Sequence, residues 1–208
     1  MNKLDLNIGA RVHYRDSLAG KLIKVVVDPA DLRVTDLIVE SGFVLKHARV
    51  FPILKVEFAD EKNIYLSVNS IDLGNYPEYH EKEFERPAAG WEHPDYEVDY
   101  VLFPGHPMTY SPAPVVKEKL HQGISTELEV VKQGTPISNT GGLIGKLDQV
   151  IADPYTNEIT FLVMLRGTVF PGRVNIPAYL VESVREDGIY IDINDEEVDR
   201  LVSADPGS

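Results

Sequence analysis

The sequence predicts an all-β chain built as two tandem copies of one small domain, and three observations carry that reading. Residues 9–70 align with residues 134–195 at a constant offset of 125 without a gap, and 19 of the 62 pairs are identical. The identities include Gly9/Gly134, Gly20/Gly145, Lys21/Lys146, Leu22/Leu147, Asp28/Asp153, Pro29/Pro154, Gly42/Gly167, Pro52/Pro177 and Tyr65/Tyr190. Two copies that keep glycines, prolines and apolar positions in one register keep one backbone. Within each copy, short β-branched runs follow one another every 8–12 residues with turn residues between them, the pattern of a small barrel or sandwich. Between the copies lies a stretch that belongs to neither, rich in proline and aromatic residues.

In the first copy the expected strands are 21–28, 34–39, 49–52, 54–58 and 64–68. In the second they are 146–153, 159–165, 173–177, 180–185 and 189–193. Antiparallel closure would let about 65 residues avoid exposed sheet edges. Gly20 and Gly145 are read as hairpin tips, where positive φ is cheap only without a Cβ. Asp28-Pro29 and Asp153-Pro154 read as turns in which the Asp side chain bonds the backbone two residues on. Asn157 suits a left-handed position; Leu32, its counterpart, suits one poorly, so the first copy's turn is expected to differ.

Residues 71–123 hold seven prolines and eight aromatic residues. Proline blocks helices and ladders, whereas a disordered linker is poor in aromatics, so an ordered acidic strap over the flanking domains is expected. Val115 to Gly123 reads as a short helix, and Asp195 to Leu201 as another with Asp195 as N-cap. The boundaries are then 1–70, 71–123 and 124–201, with 202–208 a disordered tail.

The charge of −13 is unevenly spread. Residues 1–70 carry ten Lys/Arg and nine acids, 71–123 four and ten, and 124–208 six and fourteen. An acidic second half repels a phosphate backbone, so no nucleic acid is expected. Arg11, Arg15, Lys21, Lys24, Lys46, Arg49 and Lys55 are read as solvated strand faces. The chain has no cysteine, hence no disulfide or thiolate site. No apolar stretch approaches the ~20 residues that span a bilayer, and residues 1–7 lack the apolar core of a signal peptide. A cytoplasmic location is expected, with peripheral association at the cytoplasmic face of a membrane as its variant.

The run from Gly142-Leu143-Ile144-Gly145-Lys146 through Asp153-Pro154-Tyr155-Thr156-Asn157 to Val163 resembles the PRC-barrel family, named for the H subunit of the photosynthetic reaction centre. Leu18-Ala19-Gly20-Lys21-Leu22 to Asp28-Pro29 is a weaker match, and Val174-Asn175-Ile176-Pro177 and Arg49-Val50-Phe51-Pro52 look like the family's late strand. The resemblance implies two six-stranded PRC-type β-barrels that work by protein–protein contact. It makes Gly20, Asp28, Pro29, Gly145, Asp153 and Pro154 fold determinants and transfers no catalytic residue.

Sharper chemistry is not supported by spacing. His80, His93 and His106 stand thirteen apart, whereas zinc ligands come in close pairs, so no metal or cofactor is expected. Ser111 and Ser125 lack a G-x-S-x-G setting. Gly141-Gly142 with Gly145-Lys146 misses the Walker spacing and sits in a hairpin, not at a helix start. The chain is therefore read as a non-enzymatic protein-binding or adaptor module on a membrane-associated photosynthetic or electron-transfer complex. The alternatives are a ribosome-assembly accessory binding a basic ribosomal protein, or an enzyme or metal protein using the strap. The partner is unidentified, and homodimer or intramolecular pseudo-dimer formation is expected from the near-identical copies. Trp91, Tyr96, Tyr100 and Phe103 are the candidate partner contacts, being residue types enriched at hot spots.

Overall fold

A computed structural model describes residues 3–42, 46–87, 115–167 and 172–204. The first copy contains β1 (Leu4–Asn7), β2 (Arg11–His13), β3 (Leu18–Asp28), β4 (Arg33–Ser41), β5 (His47–Pro52), β6 (Val56–Ala59) and β7 (Asn63–Leu66). The intervening stretch supplies β8 (His80–Pro87) and β9 (Val115–Gln122). The second copy contains β10 (Glu129–Lys132), β11 (Pro136–Asn139), β12 (Gly142–Ala152), β13 (Ile159–Arg166), β14 (Gly172–Pro177), β15 (Val181–Arg185) and β16 (Gly188–Ile191), followed by α1 (Asp195–Ala204). The ten strands expected from sequence all form, and four more precede them: β1, β2, β10 and β11.

The protein is mostly β, in two seven-stranded sheets and one two-stranded sheet. One large sheet runs β5-β4-β3-β2-β7-β6 and the other β14-β13-β12-β11-β16-β15. Each gains its seventh strand from the opposite copy. β1 pairs antiparallel with β12, setting Leu4 opposite Ala152, and β10 pairs antiparallel with β3, setting Glu129 opposite Val27. The expected six strands per copy are thus seven, and the boundaries expected at 70 and 124 are crossed in both directions. Among the described residues no ladder joins β5 to β6 or β14 to β15.

The exchange has a hydrophobic cause. Leu6 and Val131 occupy equivalent places, and both are buried in one continuous core that also takes Leu22, Leu37, Phe51 and Ile64 from the first copy and Leu147, Leu162, Met164 and Ile176 from the second. Burying each such side chain contributes about 1.5–3 kcal/mol, which separate sheets with frayed first strands would forgo. Residues 1–80 and 123–208 form one compact unit, and 81–122 form another. In the latter, the described part is the β8–β9 pair. The helix expected from Val115 to Gly123 is instead strand β9, consistent with the β-branched start Val115-Val116.

The first copy closes with a 3-10 turn, Ser70–Asn75, where the second closes with α1. Leu73 and Tyr76 in the first copy, and Val198 and Leu201 in the second, pack on the core from equivalent positions. Gly74 and Pro77 cut the first short, while Glu196 to Ala204 continues as a helix. The N-cap of α1 is Asn194 instead of Asp195. Its Oδ1 accepts the Glu197 amide at 3.0 Å while the Glu197 carboxylate accepts the Asn194 amide at 2.9 Å, a reciprocal capping box. The helix runs through Ala204, past the start expected for a tail at 202.

Candidate partner-binding face

The motif residues are placed as follows. Asp28 Oδ1 accepts the Ala30 amide at 2.9 Å, and Asp153 Oδ1 accepts those of Tyr155 and Thr156 at 2.8 and 3.0 Å, which holds the Asp153 carboxyl below its ordinary pKa. Gly20 and Gly145 are not hairpin tips. They lie inside β3 and β12 beside a bulge, opposite Val12 and Ile137. A Cβ on Gly20 would stand 2.0 Å from the Glu40 carbonyl oxygen; one on Gly145 would stand 2.4 Å from Met164 Sδ. Glycine is required there by close approach of a neighbouring strand. Leu32 shares the left-handed conformation of Asn157, with φ of 54° and 60°, so the two turns are alike and not different as expected. Leu32 is held there because its carbonyl accepts the Ile159 amide at 2.8 Å and its side chain packs on the core. Trp91, Tyr96, Tyr100 and Phe103 lie outside the described residues.

The surface cations do not form one solvated face. Arg15 pairs with Glu57, and Lys46 with Glu40 at 2.9 Å. Lys24 is buried, and its ammonium donates to the Tyr79 hydroxyl at 2.9 Å. Arg49 donates to the carbonyls of Leu73 and Tyr76 at 3.1 and 2.7 Å and pairs with Glu78 at 3.0 Å, fixing the segment after the 3-10 turn against β5.

Of the other three, Lys55 closes the 3-10 turn Ile53–Lys55, while Arg11 and Lys21 lie on the outer face of β6, β7, β2 and β3. Parallel pairing of β2 with β7 sets Arg11 beside Asn63 and His13 beside Tyr65. Antiparallel pairing sets Tyr65 beside Phe58, His13 beside Leu18, and Arg11 beside Lys21. The result is two rows, one across four strands and one across three. One reads Phe58, Tyr65, His13, Leu18; the other reads Asn63, Arg11, Lys21. The His13 and Tyr65 rings stack at 5.0 Å with 17° between planes, and Phe58 lies 6.1 Å from Tyr65. His13 Nε2 is 3.2 Å from Asn63 Oδ1, which fixes the ring between the rows. Phe58 and Leu18 are exposed by 54% and 61%, far more than inward neighbours such as Ile64 and Val12 at 0%. Lys62 joins Arg11 and Lys21 around a shallow groove of about 540 Å³.

No family model matches this chain, and no curated protein matches it. The residues of the face must therefore be weighed by their chemistry and by the second copy, which serves as an internal control. There the equivalents of Phe58, His13, Arg11 and Lys62 are Ser183, Ser138, Pro136 and Asp187, while Tyr65, Leu18 and Lys21 recur as Tyr190, Leu143 and Lys146. Tyr190 donates to Asp187 at 2.7 Å, which raises its phenol pKa. Nearby, Glu129 has its carboxyl pKa raised by burial first and then by Glu186 and Asp187. One backbone thus presents an aromatic and cationic face in the first copy, and in the second a face that keeps Tyr190, Leu143 and Lys146 but has small or acidic residues in place of Phe58, His13 and Lys62.

Sequence reading did not join His13, Tyr65 and Phe58 into one surface. The signal was in the alignment itself: inward positions are matched between copies, whereas of these outward positions His13 and Phe58 change to Ser138 and Ser183 and Tyr65 alone recurs, as Tyr190. A second asymmetry has the same form. In the first copy Val26, Ile38 and Val50 form an apolar cluster covered by Tyr79, with Ile124 and Leu128 packed against it. In the second copy the counterpart of Ile23 on that cluster is the buried Asp148, ion-paired to Arg173 at 2.9 Å. Among the described residues no cluster of His, Asp and Glu has the arrangement of a metal site, and no helix is long and apolar enough to cross a membrane.

Proposed function

We propose that the chain is a tandem PRC-barrel-like, non-enzymatic protein-binding adaptor that engages its partner through the outer face of the first copy. The observation that supports this reading is the row Phe58, Tyr65, His13, Leu18, an exposed aromatic and aliphatic strip on rigid strands. Solvent-facing aromatics cost solubility without stabilising a core, and residues of this kind supply most of the energy at interfaces. The second copy keeps the backbone and contributes a strand to the first, while its equivalent surface keeps Tyr190 and Leu143 but lacks the Phe58 and His13 rings. A barrel face that binds protein accords with what the sequence resemblance implies, a domain that works by protein–protein contact. Attachment to a membrane-associated complex remains the proposed setting.

The test is paired affinity capture from source cells with wild-type bait and a Phe58→Ser/Tyr65→Ser bait. A protein or complex enriched at least tenfold by the wild type, and lost with the variant, supports the reading. Equal capture by both removes the first copy's face from it, and enrichment of nothing by the wild type removes the adaptor role.

A further inference from the structure

We propose that this face recognises an acidic segment of a partner protein, one carrying an aromatic or aliphatic side chain close to its carboxylates. This rests on the adaptor reading and specifies the chemistry of the partner. Arg11 and Lys21 stand directly opposite each other on paired strands. Like charges in that relation destabilise a sheet. Neither they nor Lys62 makes an ion pair among the described residues, although the chain carries 33 acids against 20 Lys/Arg. Three cations without an ion pair, against the one carboxylate of Glu61 in the same groove, are a local excess that an incoming anion would relieve.

The geometry limits that anion to a short one. The cationic row ends on both flanks in carboxylates: Glu40 lies across from Lys21 and is occupied by Lys46, and Asp60, beside Asn63, accepts the Lys62 and Asn63 amides at 2.8 Å. A nucleic-acid strand needs cations repeated along its path and stacking platforms in series. Here one positive spot adjoins one stacked ring pair, with negative charge on either side. One or two carboxylates on the Arg11 and Lys21 spot, with a neighbouring side chain on the Tyr65 and Phe58 rings, match this spacing. Arginine holds a carboxylate in bidentate fashion, which would add orientation to attraction.

The experiment measures fluorescence anisotropy of labelled dodecapeptides with the full-length chain in low salt. The probes are a Glu-rich peptide with two tyrosines, the same peptide with Tyr replaced by Ala, the same with Glu replaced by Gln, and a thymidine dodecamer. The expected result is binding of the first peptide, weakened at least tenfold by either replacement. Arg11→Glu and Tyr65→Ser should each weaken it at least tenfold, with the Arg11→Glu midpoint no lower than wild type since it removes the like-charge pair with Lys21, and Lys146→Glu in the second copy should leave binding unchanged. Binding of none of the peptides, tighter binding of the thymidine dodecamer, or an equal effect of Lys146→Glu would overturn the proposal. A captured protein that is retained equally by Arg11→Glu and Tyr65→Ser would overturn it as well, while leaving an adaptor acting through another surface.

Discussion

Arg33 and Glu158 occupy the same position in the two copies, and they face each other. The Arg33 guanidinium lies 2.9 Å from the Glu158 carboxylate. Two backbone hydrogen bonds bracket the pair, Val34 amide to Asn157 carbonyl at 2.9 Å and Ile159 amide to Leu32 carbonyl at 2.8 Å, and these too are equivalents of each other. This is what an approximate two-fold axis between the copies requires, since a residue on the axis meets its own counterpart. Identical charged residues at this position would meet as like charges; Arg33 and Glu158 meet as opposite ones. Arg33→Glu should therefore lower the thermal midpoint, and Arg33→Glu/Glu158→Arg should restore part of the loss, since the new carboxylate would still face Asp31, which Arg33 also pairs at 3.2 Å. The loss should shrink in 1 M salt, because the pair is half exposed and screened. A double swap no better than the single change would show that the pair does not couple the copies.

The left-handed turn residues on either side of that axis make unequal demands. Asn157 adopts φ of 60° at little cost, whereas Leu32 adopts 54° against its side-chain preference. Asn157→Gly should change stability by no more than a few tenths of a kcal/mol, and Asn157→Val should cost about 1–2 kcal/mol, since a β-branched residue resists this region. Urea midpoints of the two variants measure the difference. Equal midpoints would mean that the turn relaxes out of the left-handed region without loss.

Gly20 and Gly74 form a controlled pair of substitutions. An added Cβ at Gly20 would meet the Glu40 carbonyl at 2.0 Å, and the backbone there has φ of +149°; one at Gly74 would meet nothing within 4 Å. Gly20→Ala should cost about 3 kcal/mol or more, because β3 and β4 would have to separate. Gly74→Ala should be neutral or stabilise by about 0.5 kcal/mol through the unfolded chain. Denaturant titration of both variants decides whether close strand approach is what reserves position 20 for glycine.

Ionisation should act in opposite directions at two groups of acids. Asp16, Asp60 and Asp153 are held below their ordinary pKa, by hydrogen bonds from Ser70, from the Lys62 and Asn63 amides, and from the Thr156 and Tyr155 amides respectively. Their stabilisation is present above the ordinary carboxylate range and is lost as pH falls through the lower folded values. Glu129 is raised by burial and by Glu186 and Asp187, so its contribution is favourable at acid pH and is lost as pH rises. Glu129→Gln should consequently raise the thermal midpoint at pH 7, with the gain fading below pH 4.5. Asp153→Asn should lower the midpoint at pH 7 and matter less near pH 3. A pH-independent effect of Glu129→Gln would show that repulsion at this position is relieved by solvent.

Much of this architecture is legible in the residues because the repeat fixes the apolar register, and register decides which side of a strand faces the core. Val12/Ile137, Leu22/Leu147 and Leu37/Leu162 are buried pairs for that reason. The short first strands escaped notice because Leu4-Asp5-Leu6-Asn7 and Glu129-Val130-Val131-Lys132 share no identity, and their partners lie in the other copy. The role of Gly20 was misread because a bulge and a hairpin tip ask for the same residue. The face itself was hidden for a topological reason. His13 and Tyr65 become neighbours only through the parallel pairing of β2 with β7, which no local pattern announces.

The strand exchange makes a prediction that separates it from any model of two independent domains. Leu6 belongs to the first copy in sequence, yet β1 is paired to Gln149–Ala152 of the second. Leu6→Ala should cost about 3 kcal/mol as a cavity at a fully buried site. More tellingly, hydrogen exchange should accelerate at the amides of β12 before those of β3. Val131→Ala should do the reverse, loosening Lys24–Val27 of the first copy, which β10 covers. Local opening follows the contacts that hold a segment, not its place in the chain, so the two effects must cross. Acceleration confined to the mutated residue's own copy would refute the exchange and return the protein to two separately folded halves.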